Sequence, residues 1–146
     1  MNFYIDTCIW LNLFKKESKN NIKYWLITKR LIKILDNPNN NIIVSTIVLK
    51  ELYFKSRSKF NMIKNFLIKI DSIKMIKTTP NDYYLARKIE NIHNFKISFY
   101  DCIHIAISKR INASIITRDK DLIKIGKRYI QIIKPEDLIN KRVNFF

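Results

Sequence analysis

Acidic side chains are scarce in this sequence, with 12 Asp and Glu among 146 residues, and several of them follow short apolar runs that predict buried strands. In an open parallel sheet, ligands bind beyond the carboxyl ends of the strands, where residues from distant parts of the chain meet. One further acid stands near the start of a predicted helix. The candidates for a shared acidic site are therefore Asp6, Glu51, Asp101 and Asp119.

Glu51 is the most informative of these acids because of its neighbours. Ile47 and Val48 precede it by four and three residues, and Phe54 follows it by three, so these side chains are predicted to share a helical face with Glu51. A carboxylate on a core-facing stripe is costly unless a positive group pairs with it. Either a lysine or a metal ion would meet that requirement.

The charge of the chain favours a polyanionic partner. There are 28 Lys and Arg against 12 Asp and Glu, a formal net charge of +16, which attracts nucleic acid or an anionic membrane surface. The abundance of Lys, Ile and Asn also suits A/T-rich codons, so the charge supports nucleic-acid binding without establishing it. The single Gly excludes the glycine-rich phosphate cradles, which need at least two.

Several carboxylates brought together would repel one another, and a hard divalent cation is the usual resolution. Neither Cys nor His accompanies the acids at ligand spacing, which favours Mg²⁺ or Mn²⁺ over zinc. One or two such ions can activate water and stabilise a leaving oxygen. Together with the positive charge, this chemistry predicts hydrolysis of phosphodiester bonds.

The two cysteines and the hydropathy indicate the compartment. Cys8 and Cys102 form no C-x-x-C motif, so they predict neither a zinc site nor a disulfide framework. The N-terminus lacks the pattern of a signal peptide, and no uncharged apolar run approaches the roughly 20 residues that span a bilayer. We therefore expect a soluble, cytoplasmic protein with reduced thiols and no membrane partner.

The elements that would position the acids alternate along the chain. Strands are predicted at 2–5, 42–44, 73–77, 113–117 and 129–133. Helical patterns occupy 9–35, 46–55, 62–70 and 99–110, and one more helix starts at Thr79, with Pro80 and Asp82 supplying its capping signals. This alternation predicts an α/β fold, a mostly parallel central sheet covered by helices on both faces, as a single domain over residues 1–146.

Each acid also has a purely structural interpretation. Asp6 would cap the helix that follows it, and Asp101 completes an S-x-x-D capping box with Ser98. The alternating charges of 117–121 would suit a solvated turn, and Glu51 would suit a structural ion pair. Four such coincidences around one sheet edge are less economical than one shared site.

Three segments of the chain, taken in order, resemble the PIN domain family, and the chain's size is similar to that of the stand-alone VapC-type toxin ribonucleases. The segments are 3–7 (FYIDT), 44–52 (VSTIVLKEL) and 100–122, in which an Asp-led helix is followed by a strand and T-x-D. The resemblance covers nearly the whole chain, with 55–77 matching only as generic helices. It implies a three-layer α/β/α sandwich, frequently dimeric.

The resemblance also implies roles for individual residues. Asp6 and Asp101 would be the most direct ligands of Mg²⁺ or Mn²⁺ in a site that cuts RNA, and Glu51 and Asp119 would complete it. Asp121 would supplement Asp119. The hydroxyl neighbours that would orient carboxylates or waters are Thr7, Ser45 and Thr117.

Toxin members of the family sit beside an antitoxin protein that occludes the acidic groove, whereas other members mature ribosomal RNA or act in RNA decay. A lone catalytic domain favours the toxin type. Basic residues in the first helical stretch would guide the RNA backbone: Lys15, Lys16, Lys19, Lys23, Lys29, Arg30 and Lys33. Among the aromatic residues, Tyr4, Trp10 and Tyr53 would either stack on bases or belong to the core.

Other classes of protein remain as alternatives. Arg87 and His93 fit the spacing of HEPN-type ribonucleases, which are helical and need no metal, although the predicted strands argue against that fold. A non-catalytic basic nucleic-acid-binding domain would explain the charge but not Glu51. His104 stands one helical turn after Asp101, and a packed or solvent-facing role is expected of it rather than one in the site.

Overall fold

Five short apolar strands form a parallel sheet at the centre of the molecule, and a separate pair forms a hairpin. The computed structural model describes residues 1–143. In chain order the strands are β1 (Asn2–Ile5), β2 (Ser18–Lys19), β3 (Ile22–Lys23), β4 (Asn41–Ser45), β5 (Ile73–Ile76), β6 (Ala113–Ile116) and β7 (Ile132–Ile133). The sheet order is β5-β4-β1-β6-β7, with every pair parallel, while β2 and β3 pair antiparallel.

Helices cover the sheet on its two faces. They are α1 (Thr7–Phe14), α2 (Tyr24–Leu35), α3 (Thr46–Lys55), α4 (Phe60–Lys69), α5 (Pro80–Ile92), α6 (Phe99–Arg110), α7 (Lys120–Gly126) and α8 (Pro135–Val143), with a short 3-10 helix at Arg57–Lys59. In the sheet order, the connection from β1 to β4 moves toward the β5 end, and the connection from β5 to β6 moves back toward the β7 end. Right-handed crossovers therefore put α1 and α2 on one face and α5 and α6 on the other, which confirms the predicted single α/β/α domain.

Strand β1 lies in the middle of the sheet and brings the distant segments of the site to one edge. Tyr4 pairs with Ile43 on one side and Ile115 on the other, so β1 is hydrogen-bonded along both edges. The Asp6 backbone N–H extends this ladder by donating to the Ile116 carbonyl at 3.0 Å. Because all three strands are parallel, the residues that follow β1, β4 and β6 emerge at the same edge.

An ion pair between the buried Asp82 and the half-exposed Arg110 fixes the start of α5 against the end of α6, the helix that carries Asp101. Both carboxylate oxygens of Asp82 accept from Arg110 at 3.0 Å, and Arg110 also donates to the Lys77 carbonyl. The predicted capping box is present as well, because Thr79 caps α5 and Asp82 accepts from the Thr79 backbone N–H at 2.8 Å. These contacts set the position of α6 beside the sheet.

The prediction of one helical stretch over 9–35 is wrong, because a β-hairpin interrupts it. Helix α1 ends at Phe14, and α2 begins only at Tyr24. Lys16, Asn20 and Asn21 all take positive φ, at 49°, 52° and 64°, which a continuous helix cannot accommodate. Asn tolerates this conformation better than most residues, so the Asn pair turns the hairpin.

Three further differences lie in the second half of the chain. The strand predicted at 129–133 is limited to Ile132–Ile133, and α7 and α8 were not anticipated. At the end of α7, Gly126 allows β7 to approach, since a Cβ there would collide with the Ile132 side chain. Within residues 1–143, no helix combines the length and the apolar character that crossing a bilayer requires.

Replacing Asp82 by Asn should destabilise the protein by about 1.5–3 kcal/mol, because the two charge-assisted hydrogen bonds from Arg110 would be lost or weakened. Thr79→Ala removes the cap alone and should cost about 1 kcal/mol. Urea unfolding of both variants measures the difference. An equal decrease of the free energy of unfolding in the two variants would show that the Asp82–Arg110 ion pair adds no stability beyond that of the helix cap.

Candidate active site

Asp6 is held rigidly at the carboxyl end of β1, with only 5% of its surface exposed. One carboxylate oxygen, Oδ1, accepts from the Thr7 backbone N–H at 2.8 Å. The other, Oδ2, accepts from the Thr117 hydroxyl at 2.7 Å and from the Cys8 thiol at 3.4 Å. Asp6 is also the N-cap of α1. The capping interpretation and the site interpretation of this residue therefore both fit its geometry.

Glu51 reaches the same edge from α3. Its Oε1 accepts from the Thr7 hydroxyl at 2.9 Å and from His104 Nε2 at 2.8 Å. Burial acts to raise the pKa of Glu51, but the hydrogen bond and charge of His104, with the Thr7 hydroxyl, lower it below its ordinary value. The predicted apolar face is only partly correct, since Ile47 and Val48 are buried whereas Phe54 is 57% exposed.

The sequence predicts a lysine or a metal ion beside Glu51 and places His104 outside the site, but the side chain paired with Glu51 is His104. The ring is fully buried, with Nε2 at 3.6 Å from Asp6 Oδ1 and Nδ1 at 2.6 Å from Tyr4 Oη. Burial acts to lower the pKa of His104, but the hydrogen bond to Glu51 and the nearby carboxylates raise it. The signal in the sequence was a histidine one turn after Asp101, within the otherwise apolar run 102–107.

Asp101 lies in the first turn of α6 and faces the other acids. Ser98 caps this helix by accepting from the Asp101 backbone N–H at 3.1 Å. Burial and the charges of Asp6 and Asp119 raise the pKa of Asp101 to about 7, although His104 acts to lower it. Each of three residues contributes one potential ligand atom, and these three atoms lie within 4.8 Å of one another: Asp6, Asp101 and His104. The structure thus brings two of the predicted acids into direct proximity.

Asp119 adjoins this cluster through Thr117. The Asp119 backbone N–H donates to the Thr117 hydroxyl at 3.0 Å, and that hydroxyl in turn donates to Asp6. The Asp119 carboxylate accepts from the Leu122 backbone N–H at 2.9 Å, so it caps α7 while its charge acts on Asp101. Asp121 is exposed in the first turn of α7, and its supporting role stays a prediction.

The arginine beside the acids does not neutralise them. Arg118 donates to Asn12 Oδ1 at 3.1 Å, pairs with Glu136 of α8, and lies with its guanidinium 4.1 Å from the centre of the Tyr24 ring. Among the side chains of residues 1–141, His104 is the one basic group at salt-bridge distance from Asp6 or Glu51. The cluster therefore keeps an excess of negative charge.

The residues present fit a hard divalent cation. The acids offer carboxylate oxygens, the ligand type that Mg²⁺ and Mn²⁺ prefer. Burial, and after it the charges of Asp6 and Asp119, raise the pKa of Asp101, and a bound cation would offset both the burial of the carboxylate and that repulsion. Asp6 and Asp101 are the best placed to bind it, with Glu51 and Asp119 at the margin.

The HEPN-type alternative is wrong, because the fold is built on a parallel sheet. Arg87 pairs with Glu90 at 2.9 Å on the surface of α5. His93 ends that helix, as expected, and its Nε2 lies 2.8 Å from Tyr129 Oη. Of the aromatic residues considered for base stacking, Tyr4 and Trp10 belong to the core, whereas Tyr53 is exposed.

An acidic cluster at the carboxyl edge of a parallel five-stranded sheet defines an α/β protein with a centre suited to cation-assisted chemistry. The family model of the PIN domain matches residues 3–128. The chain therefore belongs to the PIN domain family, as its three sequence segments suggested. A comparison with curated proteins finds no match.

Solved structures with the same fold include VapC-type proteins. VapBC2 from Rickettsia felis, bound to a DNA fragment from its promoter, is 18% identical with a TM-score of 0.68, covering 92% of this chain and 98% of that one. VapBC-1 from nontypeable Haemophilus influenzae is 18% identical with a TM-score of 0.67, covering 93% and 99%. The sarcin-ricin loop cleaving toxin VapC20 from Mycobacterium tuberculosis is 17% identical with a TM-score of 0.65, covering 85% and 95%.

Without divalent cations, the free energy of unfolding should fall as the pH rises from about 5 to 8. In this range the folded state retains a proton on Asp101, which has a folded pKa of about 7, while the unfolded chain has released it near 3.8. The raised pKa of His104 acts in the same direction, because its stabilisation is lost as the pH rises through the folded value.

Asp101→Asn should remove most of this pH dependence and make the cation-free protein roughly 1–3 kcal/mol more stable than the parent at pH 8. Urea unfolding in EDTA at pH 5 and pH 8 measures both effects. Asp71→Asn is the matched control, since Asp71 is an exposed acid in the turn before β5. Parallel pH profiles for Asp101→Asn and the parent would contradict the raised pKa of Asp101.

Proposed function

We propose that this protein is a ribonuclease that hydrolyses RNA phosphodiester bonds with Mg²⁺ or Mn²⁺, and that it is the toxin of a toxin–antitoxin pair. The observation that carries the proposal is the convergence of Asp6, Glu51 and Asp101, which the chain supplies from three separate elements. The raised pKa of Asp101 supports it, since a site of this kind binds a cation at the expense of stability. Asp119 completes the proposed set.

The residues of the chain divide the work in this proposal. Asp6 and Asp101 would hold the ion, and Glu51 and Asp119 would hold a second ion or ordered water. When bound, the cation supplies activation of water and stabilisation of charge on the phosphate. Thr7 and Thr117 fix the carboxylates of Glu51 and Asp6 through their hydroxyl groups, while Ser45 acts from further away through Tyr4.

The RNA backbone would approach over the basic surface formed by α1, the β2–β3 hairpin and α2. This surface carries seven exposed cations: Lys15, Lys16, Lys19, Lys23, Lys29, Arg30 and Lys33. Tyr24, which follows β3, contacts Arg118 in the loop that carries Asp119. The hairpin thereby joins the basic surface to the acidic edge, and a phosphate chain lying on it would lead to the acids.

The proposed partners follow from the family. VapBC2 and VapBC-1 are complexes, and by analogy we propose that an antitoxin protein occupies the acidic groove of this chain. We also propose a homodimer, a cytoplasmic location and a single nuclease domain over 1–146. Co-expression with the open reading frames that flank the gene, followed by purification and mass measurement, tests the antitoxin and the dimer together.

The purified protein should cleave a mixed RNA pool with Mg²⁺ or Mn²⁺ and lose that cleavage in excess EDTA. Asp6→Asn and Asp101→Asn should each lower the rate by a factor of about 10³ or more, because each removes a charged ligand. Fragment analysis on denaturing gels measures the rate. Asp71→Asn should cleave as the parent does.

The other outcomes of this experiment identify different proteins. Cleavage that survives EDTA and both active-site variants would rule out a carboxylate-held metal. Tight RNA binding without cleavage, on a pool that includes ribosomal and transfer RNA, would favour the non-catalytic binding domain. Cleavage confined to precursors of ribosomal RNA would favour an RNA-processing enzyme.

RNA binding should weaken with salt, with a log–log slope of about −0.7 for each phosphate that is contacted. Lys19→Gln combined with Lys23→Gln on the hairpin should make that slope shallower by about 1, measured by fluorescence anisotropy in EDTA. The control pair is Lys69→Gln with Lys74→Gln, which removes equal charge near the start of β5, at the opposite edge of the sheet. If the two double variants change the salt-dependence slope equally, the RNA does not follow a localised path over the hairpin.

A further inference from the structure

A closed circuit of hydrogen bonds joins the three elements that carry the main acids. His104 on α6 contacts Glu51 on α3 through Nε2 at 2.8 Å and Tyr4 on β1 through Nδ1 at 2.6 Å. Tyr4 Oη lies 2.6 Å from Ser45 Oγ, and Ser45 accepts from the Val48 backbone N–H at 3.2 Å as the N-cap of α3. The circuit therefore begins and ends on α3.

The chemistry of the partners assigns the imidazole proton that faces the site. The ionised carboxylate of Glu51 can only accept hydrogen bonds, so His104 Nε2 must carry the proton between them. The Thr7 hydroxyl donates to the same oxygen, Oε1, at 2.9 Å. Both donors act on Oε1, and the hydrogen bonds made by residues 1–141 leave Oε2 of Glu51 available for another contact.

The same bonds separate His104 from the ligands of a metal, although it lies within 4.8 Å of Asp6 and Asp101. A protonated Nε2 has no lone pair to offer, and Nδ1 is directed at Tyr4 instead of the acids. To bind an ion through Nε2, His104 would have to give up Glu51. Full burial of His104, Tyr4 and Ser45 leaves little room for such a rotation.

We propose that His104 is a positioning residue, held by Tyr4 and Ser45, that fixes Glu51 by its Oε1 so that Oε2 faces the cation site. This inference rests on the proposed function, because it assigns a role within the same site. In this role the imidazole of His104 would not bind the metal itself. It would orient a metal ligand by hydrogen bonding and so tune the affinity of the site for the metal.

The test measures Mn²⁺ affinity of the full chain, by electron paramagnetic resonance titration of free Mn²⁺, for four variants. His104→Gln keeps an N–H donor within reach of Glu51, whereas His104→Leu removes it. Tyr4→Phe removes only the hydroxyl that holds Nδ1. Ser108→Ala is the matched control, since Ser108 is fully buried one turn further along α6 and its hydroxyl has no hydrogen-bond partner among residues 1–141.

The dissociation constant for Mn²⁺ should rise by about 10- to 100-fold in His104→Leu and stay within about threefold of the parent in His104→Gln. Tyr4→Phe should have an intermediate effect, about 3- to 10-fold, and it keeps the test decisive should His104→Leu not fold. Ser108→Ala should match the parent. RNA cleavage should follow the same order in kcat, with KM for RNA unchanged.

Three results would overturn the inference. Equal loss of Mn²⁺ affinity in His104→Gln and His104→Leu would make His104 a metal ligand. Parent-like affinity in His104→Leu and Tyr4→Phe would leave the circuit a purely structural feature, while the metal site itself would stand. If the parent binds no Mn²⁺ and cleaves no RNA, the proposed function fails first and the positioning role fails with it.

Discussion

The mutual repulsion of carboxylates at one edge of the sheet is the constraint on which this structure depends. Asp6 and Asp101 lie close enough that burial and charge together raise the pKa of Asp101 to about 7. Short hydrogen bonds fix two of the four acids, since Asp6 accepts from Thr7 and Thr117 and Glu51 accepts from His104. Sites built in this way sacrifice folding stability for the capacity to bind a cation.

Helix capping is the means by which the fold places these acids. Asp6 caps α1, Asp119 caps α7, and Ser98 caps α6 one turn before Asp101. A cap must stand where a strand or loop gives way to a helix, and in a parallel sheet half of these junctions lie at the carboxyl edge. Asp6 and Asp119 are therefore helix caps at the same edge of the sheet where their proposed chemical roles would need them.

The parts of the fold that the sequence predicted well are those with strong local signals. Continuous apolar runs identified β1, β4 and β6, and the T-P-x-D signal identified the start of α5, where the capping box is present. The hairpin between α1 and α2 was missed because its turn depends on positive φ at Asn20 and Asn21, whereas the apolar residues of the surrounding stretch recur with the period of a helix. Strand β7 was predicted from its apolar run but too long, and helix α8 was missed because it is held by packing against α2, which no local pattern encodes.

The candidate site was predicted less completely than the fold. The separate positions of the acids follow from where strands end, so their convergence could be expected. The role of His104 could not, because its contacts with Glu51, 53 residues away, and with Tyr4, 100 residues away, arise only when α3, α6 and β1 have packed together. A polar residue in an apolar helical run is the one trace that such a contact leaves in a sequence.

Crystals of the full chain soaked in Mn²⁺ and measured at the manganese absorption edge would test the central claim most directly. The account predicts an anomalous peak bounded by carboxylate oxygens of Asp6 and Asp101, with Glu51 still hydrogen-bonded to His104. A peak bonded to His104 Nε2, or no peak at the acidic edge when the ion is in excess, would contradict it.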